Sequence, residues 1–264
     1  MVTRTSAMAM PRSASRRRYD VAFFDLYGTL VDIRTDESSP CAWAALCGAI
    51  GRLDPSSPYR DEPSARDAFD CAMALLEPAD AGEHYEPDML PVYRALLPGL
   101  SGEAATRAAR ELAWTFRRAC TNLLRLYPGV HEMLDALRSG GLRVVLLSNA
   151  QSCYTRPELA LLGLDAALDR IVISSEEGVR KPSAALYRRA LEREGLSDRP
   201  DRAVMVGNDV RCDILGAAAA GVDGVYVRTA ISPAGDPHVC PQAVLTLRGD
   251  PAPDYAALLD FLLG

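Results

Sequence analysis

One lysine stands among the 29 basic residues of this chain: Lys181, in Gly178-Val179-Arg180-Lys181-Pro182, while every other basic residue is arginine. A lysine kept where arginine is the rule points to a site that needs a compact ammonium, able to neutralise developing charge as a point cation. Asp25, in Phe24-Asp25-Leu26-Tyr27-Gly28-Thr29, is a carboxylate at the end of an apolar run. The glycine after it lets backbone N–H groups approach an anion, and an aspartate so placed can act as a nucleophile. Ser148 and Asn149 follow a second apolar run and offer a hydroxyl and amides to an anionic group. Asn208, Asp209 and Asp213 follow another, with the two aspartates one helical turn apart on one face. Taken singly, each motif has an ordinary reading as turn chemistry or a helix cap; Asp209 and Asp213 read equally as a capping and a solvated aspartate.

Elements that could bring these residues together are legible as short apolar runs. Tyr19 to Phe24 ends at Asp25, Leu142 to Leu147 at Ser148, Ile171 to Ile173 at Ser174 and Ala203 to Val206 at Gly207, and Gly224 to Val227 follows. Helix-like segments alternate with them: Val130 to Arg138, Thr155 to Leu162, Ser183 to Glu194 and Asp213 to Ala220. Such alternation predicts an α/β fold with a doubly wound parallel sheet, whose ligands bind at the strand C-terminal ends. Ala243 to Leu247 reads as a last strand and Tyr255 to Leu263 as a terminal helix. Between residues 36 and 126 the pattern changes to helix-like segments broken by prolines, with no clear strand, and reads as a helical insertion.

Composition bounds the partners. A net charge of −6 with no basic stripe beyond Arg16, Arg17 and Arg18 gives nucleic-acid binding little support, and a small-molecule substrate is expected instead. No stretch reaches the roughly 18 apolar residues of a membrane span. Residues 1–18 lack the apolar core of a signal peptide and read as a disordered leader. Seven scattered cysteines with no Cys-x-x-Cys pair indicate neither a disulfide framework nor a zinc site, so a cytoplasmic setting is expected. Self-association into a homodimer is left open.

In this order, at these strand ends, Asp-x-x-Gly-Thr-Leu, Ser-Asn, Lys-Pro and Gly-x-Asp-x-x-x-Asp-Ile resemble the haloacid dehalogenase-like (HAD) hydrolase superfamily, in particular members with a helical cap inserted after the first motif. The resemblance covers about residues 19–230 and implies a Rossmann-like core from residues 19–35 and 127–264, with residues 36–126 as cap. It implies that Asp25 forms a covalent aspartyl intermediate, that Ser148 and Lys181 hold the transferring group, with Asn149 beside them as a further catalytic candidate, and that the fourth motif holds Mg²⁺ or orients the lysine.

Two functions follow from the resemblance, and residues pull in both directions. The family's phosphatases carry a second aspartate, acting as acid and base, at the position of Tyr27. A phenol with a pKa near 10 is a poor base, and the halide-releasing members carry tyrosine there. Tyr187 also resembles the dehalogenase spacing, though a tyrosine packing on the sheet explains it as well. The fourth motif favours phosphoryl chemistry, since Val210 cannot position a water. Asp25, Asp209 and Asp213 against Lys181 leave a negative site suited to Mg²⁺. The expected surroundings of that ion are Asp25, Tyr27, Asn208, Asp209 and Asp213, with Asn208 standing where an aspartate is usual. The expectation is a Mg²⁺-dependent phosphohydrolase acting on a small phosphorylated metabolite through an aspartyl-phosphate. The alternatives are a metal-free dehalogenase-type hydrolase working through an aspartyl ester, and a repurposed or non-catalytic member of the fold. Hinges are expected near Asp32 to Thr35 and Leu126 to Gly129. Arg52 and Arg60 are candidates for reading an anion, and Trp43, Trp114 and Phe116 for packing the insertion.

Overall fold

Period-two burial organises the molecule. In β1 (Val21–Phe24), β4 (Arg143–Ser148) and β6 (Ala203–Gly207) nearly every residue is buried, and alternate residues enter different cores. Ala22, Phe24, Val144, Leu146, Val204 and Val206 face one apolar layer, and Val21, Phe23, Val145, Leu147, Ala203 and Met205 face the other. A strand buried on both faces must be sandwiched by helices, the situation of parallel sheets. The structure, a computed structural model that describes residues 18–264, shows this arrangement. Six parallel strands run in the order β5-β4-β1-β6-β7-β8, with β5 (Arg170–Ile173), β7 (Asp223–Arg228) and β8 (Leu245–Arg248) completing the sheet.

Helices α5 (Val130–Ser139), α6 (Ser152–Leu161) and α10 (Tyr255–Leu263) contribute Leu134, Leu159 and Leu258 to one layer. On the other face α8 (Ala184–Arg193) and α9 (Gly216–Ala218) contribute Leu186, Tyr187, Leu191 and Ala217. A short α7 (Ser174–Glu177) follows β5. Because the chain places β4 and β5 on one side of β1 and then crosses to β6 on the other, the C-terminal ends of β1, β4 and β6 flank a topological switch point. Asp25, Ser148 and Gly207 stand there, as the apolar runs predict.

The insertion differs from its expected form. Helices α1 (Pro40–Leu53), α2 (Glu62–Ala74), α3 (Leu90–Ala95) and α4 (Gly102–Cys120) build a separate apolar cluster around Trp43, Leu46, Ile50, Tyr93, Leu112 and Phe116. Trp43 stacks edge-on against Phe116, with ring centroids 5.2 Å apart, whereas Trp114 is only half-buried and stands outside the cluster. Residues 121–126, expected to be strandless, form β3 (Thr121–Leu126), antiparallel to β2 (Val31–Thr35). Asp32 to Thr35, expected as a hinge, is paired along this ladder, and Arg125 donates to the buried Asp32 carboxylate at 2.8 Å. No turn residue separates α4 from β3, so the change of period from 3.6 to 2 at Thr121 has no punctuation in the sequence. The expected leader lies outside the described residues except for Arg18, which donates to Asp223 at 2.6 Å. Among the described residues no helix is long and apolar enough to cross a membrane.

The inserted cluster also includes Cys153 and Tyr154 from α6, so the two cores share an element. Both tryptophans lie in the insertion, which allows its unfolding to be read separately. Leu112→Ala is expected to lower stability by about 2–5 kcal/mol, with tryptophan fluorescence and far-ultraviolet circular dichroism still reporting one coincident transition. An early fluorescence transition separated from the dichroism change would show that the insertion unfolds independently.

Candidate active site

Four strand ends converge on one ammonium. Lys181 is 2% exposed, and its Nζ donates to Asp25 Oδ1 at 2.8 Å, Asp213 Oδ1 at 2.7 Å and the Leu147 carbonyl at 2.8 Å. All three donors are engaged. Burial alone would push its pKa down, but the two carboxylates overcome that and hold it above the usual lysine value. The lysine's backbone is clamped by Asn149, whose Nδ2 donates to the Lys181 carbonyl at 2.9 Å and whose Oδ1 accepts its N–H at 2.8 Å.

Ser148 donates to Asp25 Oδ1 at 3.2 Å, so the lysine and the serine both act on the same carboxylate oxygen. Asn149 and Lys181 also line the cavity beside Asp25, and Ser148 and Lys181 position the Asp25 carboxylate. Among the described residues Asp25 Oδ2 takes no hydrogen bond, and Asp25 borders a cavity of about 210 Å³ with Tyr27, Asn208, Asp209, Ile231 and Pro233. Ile231 and Pro233 belong to the loop after β7, rich in proline and glycine.

Asp209 and Asp213 exchange the roles their sequence pattern leaves open. Asp209 caps the π-type helical turn Val210–Leu215, accepting from the Cys212 N–H at 2.7 Å. Asp213, far from being solvated, is 1% exposed and accepts from Lys181 through Oδ1 and from the Asp209 N–H at 3.0 Å through Oδ2. Each of its oxygens thus takes one hydrogen bond, and in this structure Asp213 holds the lysine. Burial pushes its carboxyl up and Lys181 opposes the shift. Gly207 is required here because a Cβ on it would lie 2.2 Å from the Asp213 carboxylate carbon. Gly28, at φ 83°, lies so close to Asn208 that a Cβ would sit 2.1 Å from its Nδ2.

Tyr27 lines the cavity with its ring, yet its hydroxyl turns away to bond Glu158 and, at 3.0 Å, Thr155. Glu158 is buried and paired with the buried Arg117 of α4 at 2.6 Å. Burial and the Glu158 charge push the phenol further above its ordinary value, against the pull of Arg117. The hydroxyl is thus neither a base nor available to a metal, which corrects its place among the expected ligands. Nothing in the sequence pairs Glu158 with Arg117; the only signal is that a tyrosine at position 27 needs a partner for its hydroxyl. Tyr187 is fully buried and donates to the Cys212 carbonyl at 2.8 Å and the Asp213 carbonyl at 3.2 Å, supporting the fourth motif from below. Arg52 and Arg60 border neither this cavity nor the larger one beside it.

Donors left for a cation are Asp25 Oδ2, Asp209 Oδ2 and the Asn208 side-chain oxygen, which is 3.5 Å from the Thr29 hydroxyl. Among the described residues no group of three or more His, Cys, Asp or Glu side chains is set to hold an ion. Hard oxygens in this number fit Mg²⁺, which binds through one or two carboxylates and completes its shell with water and substrate oxygens.

Comparison with known proteins agrees with this geometry. The family model described as haloacid dehalogenase-like hydrolase matches residues 19–221. The chain is 30% identical over 218 residues to the phosphoglycolate phosphatase of Agrobacterium fabrum, covering 81% of this chain and 82% of that protein. It is 35% identical over 125 residues to the glyceraldehyde 3-phosphate phosphatase of Methanothermobacter thermautotrophicus, covering 47% of this chain but only 54% of that protein's length. Among solved structures, the 2-haloacid dehalogenase of Pseudomonas syringae pv. tomato superposes with a TM-score of 0.56 at 20% identity over 87% of this chain and 94% of that one, a likeness of fold alone.

Removing one member of the buried charge cluster strands the others. Lys181→Met is expected to lower the unfolding free energy by about 3–5 kcal/mol, read by denaturant titration. Adding Asp213→Asn should recover part of the loss, because it removes one stranded carboxylate. A cost below about 1 kcal/mol for Lys181→Met, typical of exposed pairs, would show that the cluster is not held as described.

Proposed function

The chain belongs to the haloacid dehalogenase-like hydrolases, and from that premise we propose that it is a phosphohydrolase acting on a small phosphorylated metabolite through an aspartyl-phosphate on Asp25. The observation that carries this reading is the asymmetry of the Asp25 carboxylate beside the cavity it lines: Oδ1 is held by Lys181 and Ser148, while no hydrogen bond occupies Oδ2 among the described residues. An oxygen left free in this way attacks phosphorus, the bond from phosphorus to the leaving oxygen breaks, and water then releases inorganic phosphate and restores the carboxylate. Lys181 holds the Asp25 carboxylate in place, and Asp213 and Asn149 keep Lys181 in place. Mg²⁺ held by Asp25, Asn208 and Asp209 would supply neutralisation of phosphoryl charge.

Tyr27 limits the substrate. With its hydroxyl bound to Glu158 and its pKa raised, no acid at that position protonates a departing alkoxide. Substrates with good leaving groups, such as acyl or anomeric phosphates, suit the site best. Residues 36–126 act in this reading as a cap over a core of residues 19–35 and 127–264, excluding water from the intermediate. Seven free cysteines suit a reducing, cytoplasmic setting.

A metal-free dehalogenase is the second reading, favoured by the tyrosine at position 27. Val210 and Asp209 in the fourth motif weigh against it, as does the negative balance of Asp25, Asp209 and Asp213 over Lys181, which repels an anionic haloacid. A binding module without activity is the third. Release of phosphate from p-nitrophenyl phosphate that requires Mg²⁺ and falls by about a thousandfold or more in Asp25→Asn, as expected for a lost covalent nucleophile, supports the proposal. Metal-independent halide release from a 2-haloacid in its place would establish the second reading, and ligand binding with neither activity the third.

A further inference from the structure

The outer edge of the sheet carries a second cluster of charge. β8 has β7 as its one partner in the sheet, and in their register Arg228 stands beside Arg248, with Tyr226 beside Thr246 two residues before them on the same face. Like charges side by side on adjacent strands repel each other unless an anion lies between them. Among the described residues none is supplied. Neither arginine enters an ion pair there, and the fully buried Tyr226 hydroxyl meets no hydrogen-bond partner. Positive charge and an unmet donor are therefore gathered on one face of a chain whose net charge is −6.

Beside the pair lies a cavity of about 820 Å³, in the size range of small-molecule sites. Arg228, Arg248 and His238 line it against the single carboxylate of Asp250. Val239 and Val244 line it too, and at 67% and 41% exposed they are two of the five large apolar residues left open to solvent among the described ones. A guanidinium fork matches the oxygens of an oxyanion such as carboxylate or phosphate, and an exposed apolar wall gains by being covered. Side by side, the two chemistries fit one ligand that has both an anionic head and an apolar body.

We propose that this cavity is a second ligand site, separate from the active site, for a small organic anion with an apolar body, and that its occupancy is felt beside the nucleophile. The route is the loop after β7. Arg228 Nη1 donates to the Pro233 carbonyl at 2.9 Å, Pro233 borders the cavity of Asp25, and Asp236 of the same loop accepts the Val210 N–H at 2.8 Å. A bound anion offers Arg228 a charged acceptor in place of that neutral carbonyl, and charge-assisted bonds are the stronger. Loss of the tie loosens the wall formed by Ile231 and Pro233, so the ligand inhibits. Binding stands independently of the phosphohydrolase reading, and inhibition rests on it.

The probe is 8-anilinonaphthalene-1-sulfonate, a fluorescent monoanion with an apolar body, which the acidic cavity of Asp25 disfavours by charge. Arg248→Met is expected to weaken its binding about tenfold or more, the order supplied by one charge-assisted hydrogen bond. N-phenyl-1-naphthylamine, the same body without the sulfonate, should bind the unaltered protein more weakly by a similar factor, while Arg60→Met, on the insertion, should bind the sulfonate as the unaltered protein does. Because Arg248→Met removes a like-charge pair, its thermal stability should match or exceed that of the unaltered protein, and lost binding then reports the site. Saturating probe should lower release of phosphate from p-nitrophenyl phosphate several-fold and leave Arg248→Met as it was, and Arg228→Met without probe should resemble the occupied protein. Probe binding that Arg248→Met does not weaken overturns the site. Binding as expected with unchanged turnover overturns the coupling to the nucleophile. Absence of phosphate release from every protein overturns the phosphohydrolase reading and the inhibition with it, while the fluorescence titration still decides the site.

Discussion

A buried ammonium with three acceptors is the constraint on which this structure depends. Moving a charge such as that of Lys181 out of water is costly unless it is paired and fully hydrogen-bonded. The chain meets that demand from three separate strand ends: Asp25 after β1, the Leu147 carbonyl of β4 and Asp213 after β6. Each acceptor is then fixed in turn. Asn149 clamps the lysine's backbone, the Asp209 N–H holds the second oxygen of Asp213, and Gly207 gives that carboxylate the space a side chain would fill. The satisfied charge leaves one carboxylate oxygen of Asp25 without a hydrogen bond among the described residues, beside the cavity that Asp25 lines.

A second buried ion pair decides what kind of chemistry. Arg117 comes from the last inserted helix and Glu158 from the core helix α6, and their pair carries the Tyr27 hydroxyl away from the nucleophile. One interaction thereby links the insertion to the loop after β1 and holds the Tyr27 hydroxyl on Glu158. The same junction is reinforced by Tyr93 and Tyr154, whose hydroxyls bond across it. In the proposed function, attachment of the insertion and restriction of the leaving group follow from the same residues.

The sheet and the convergence of Asp25, Ser148 and Lys181 were legible because strands buried on both faces must be continuous apolar runs, and the first polar residue after each run marks the strand's end. Asn149 was legible as a site residue but not as a clamp, since its partners are backbone atoms of a segment distant in sequence. Asp209 and Asp213 could be placed on one face, but which would cap and which would be buried depended on Lys181 reaching under the turn. Local pattern held even less of β3 and the Tyr27 network. A helix that runs into a strand without a turn gives no signal, and a buried pair between Arg117 and Glu158 is set by packing across 41 residues of sequence separation. Charged residues in amphipathic helices ordinarily face water, so nothing marked these two.

Oxygen-18 water tests the central claim, attack by Asp25 on phosphorus, most directly. In a single turnover on a phosphate ester, water is predicted to cleave the aspartyl-phosphate at phosphorus, so the heavy oxygen should appear in the released phosphate and leave the Asp25 peptide at its ordinary mass. Heavy oxygen in the Asp25 carboxylate would mean hydrolysis of an ester at carbon, the course of a dehalogenase-type reaction, and would contradict the account.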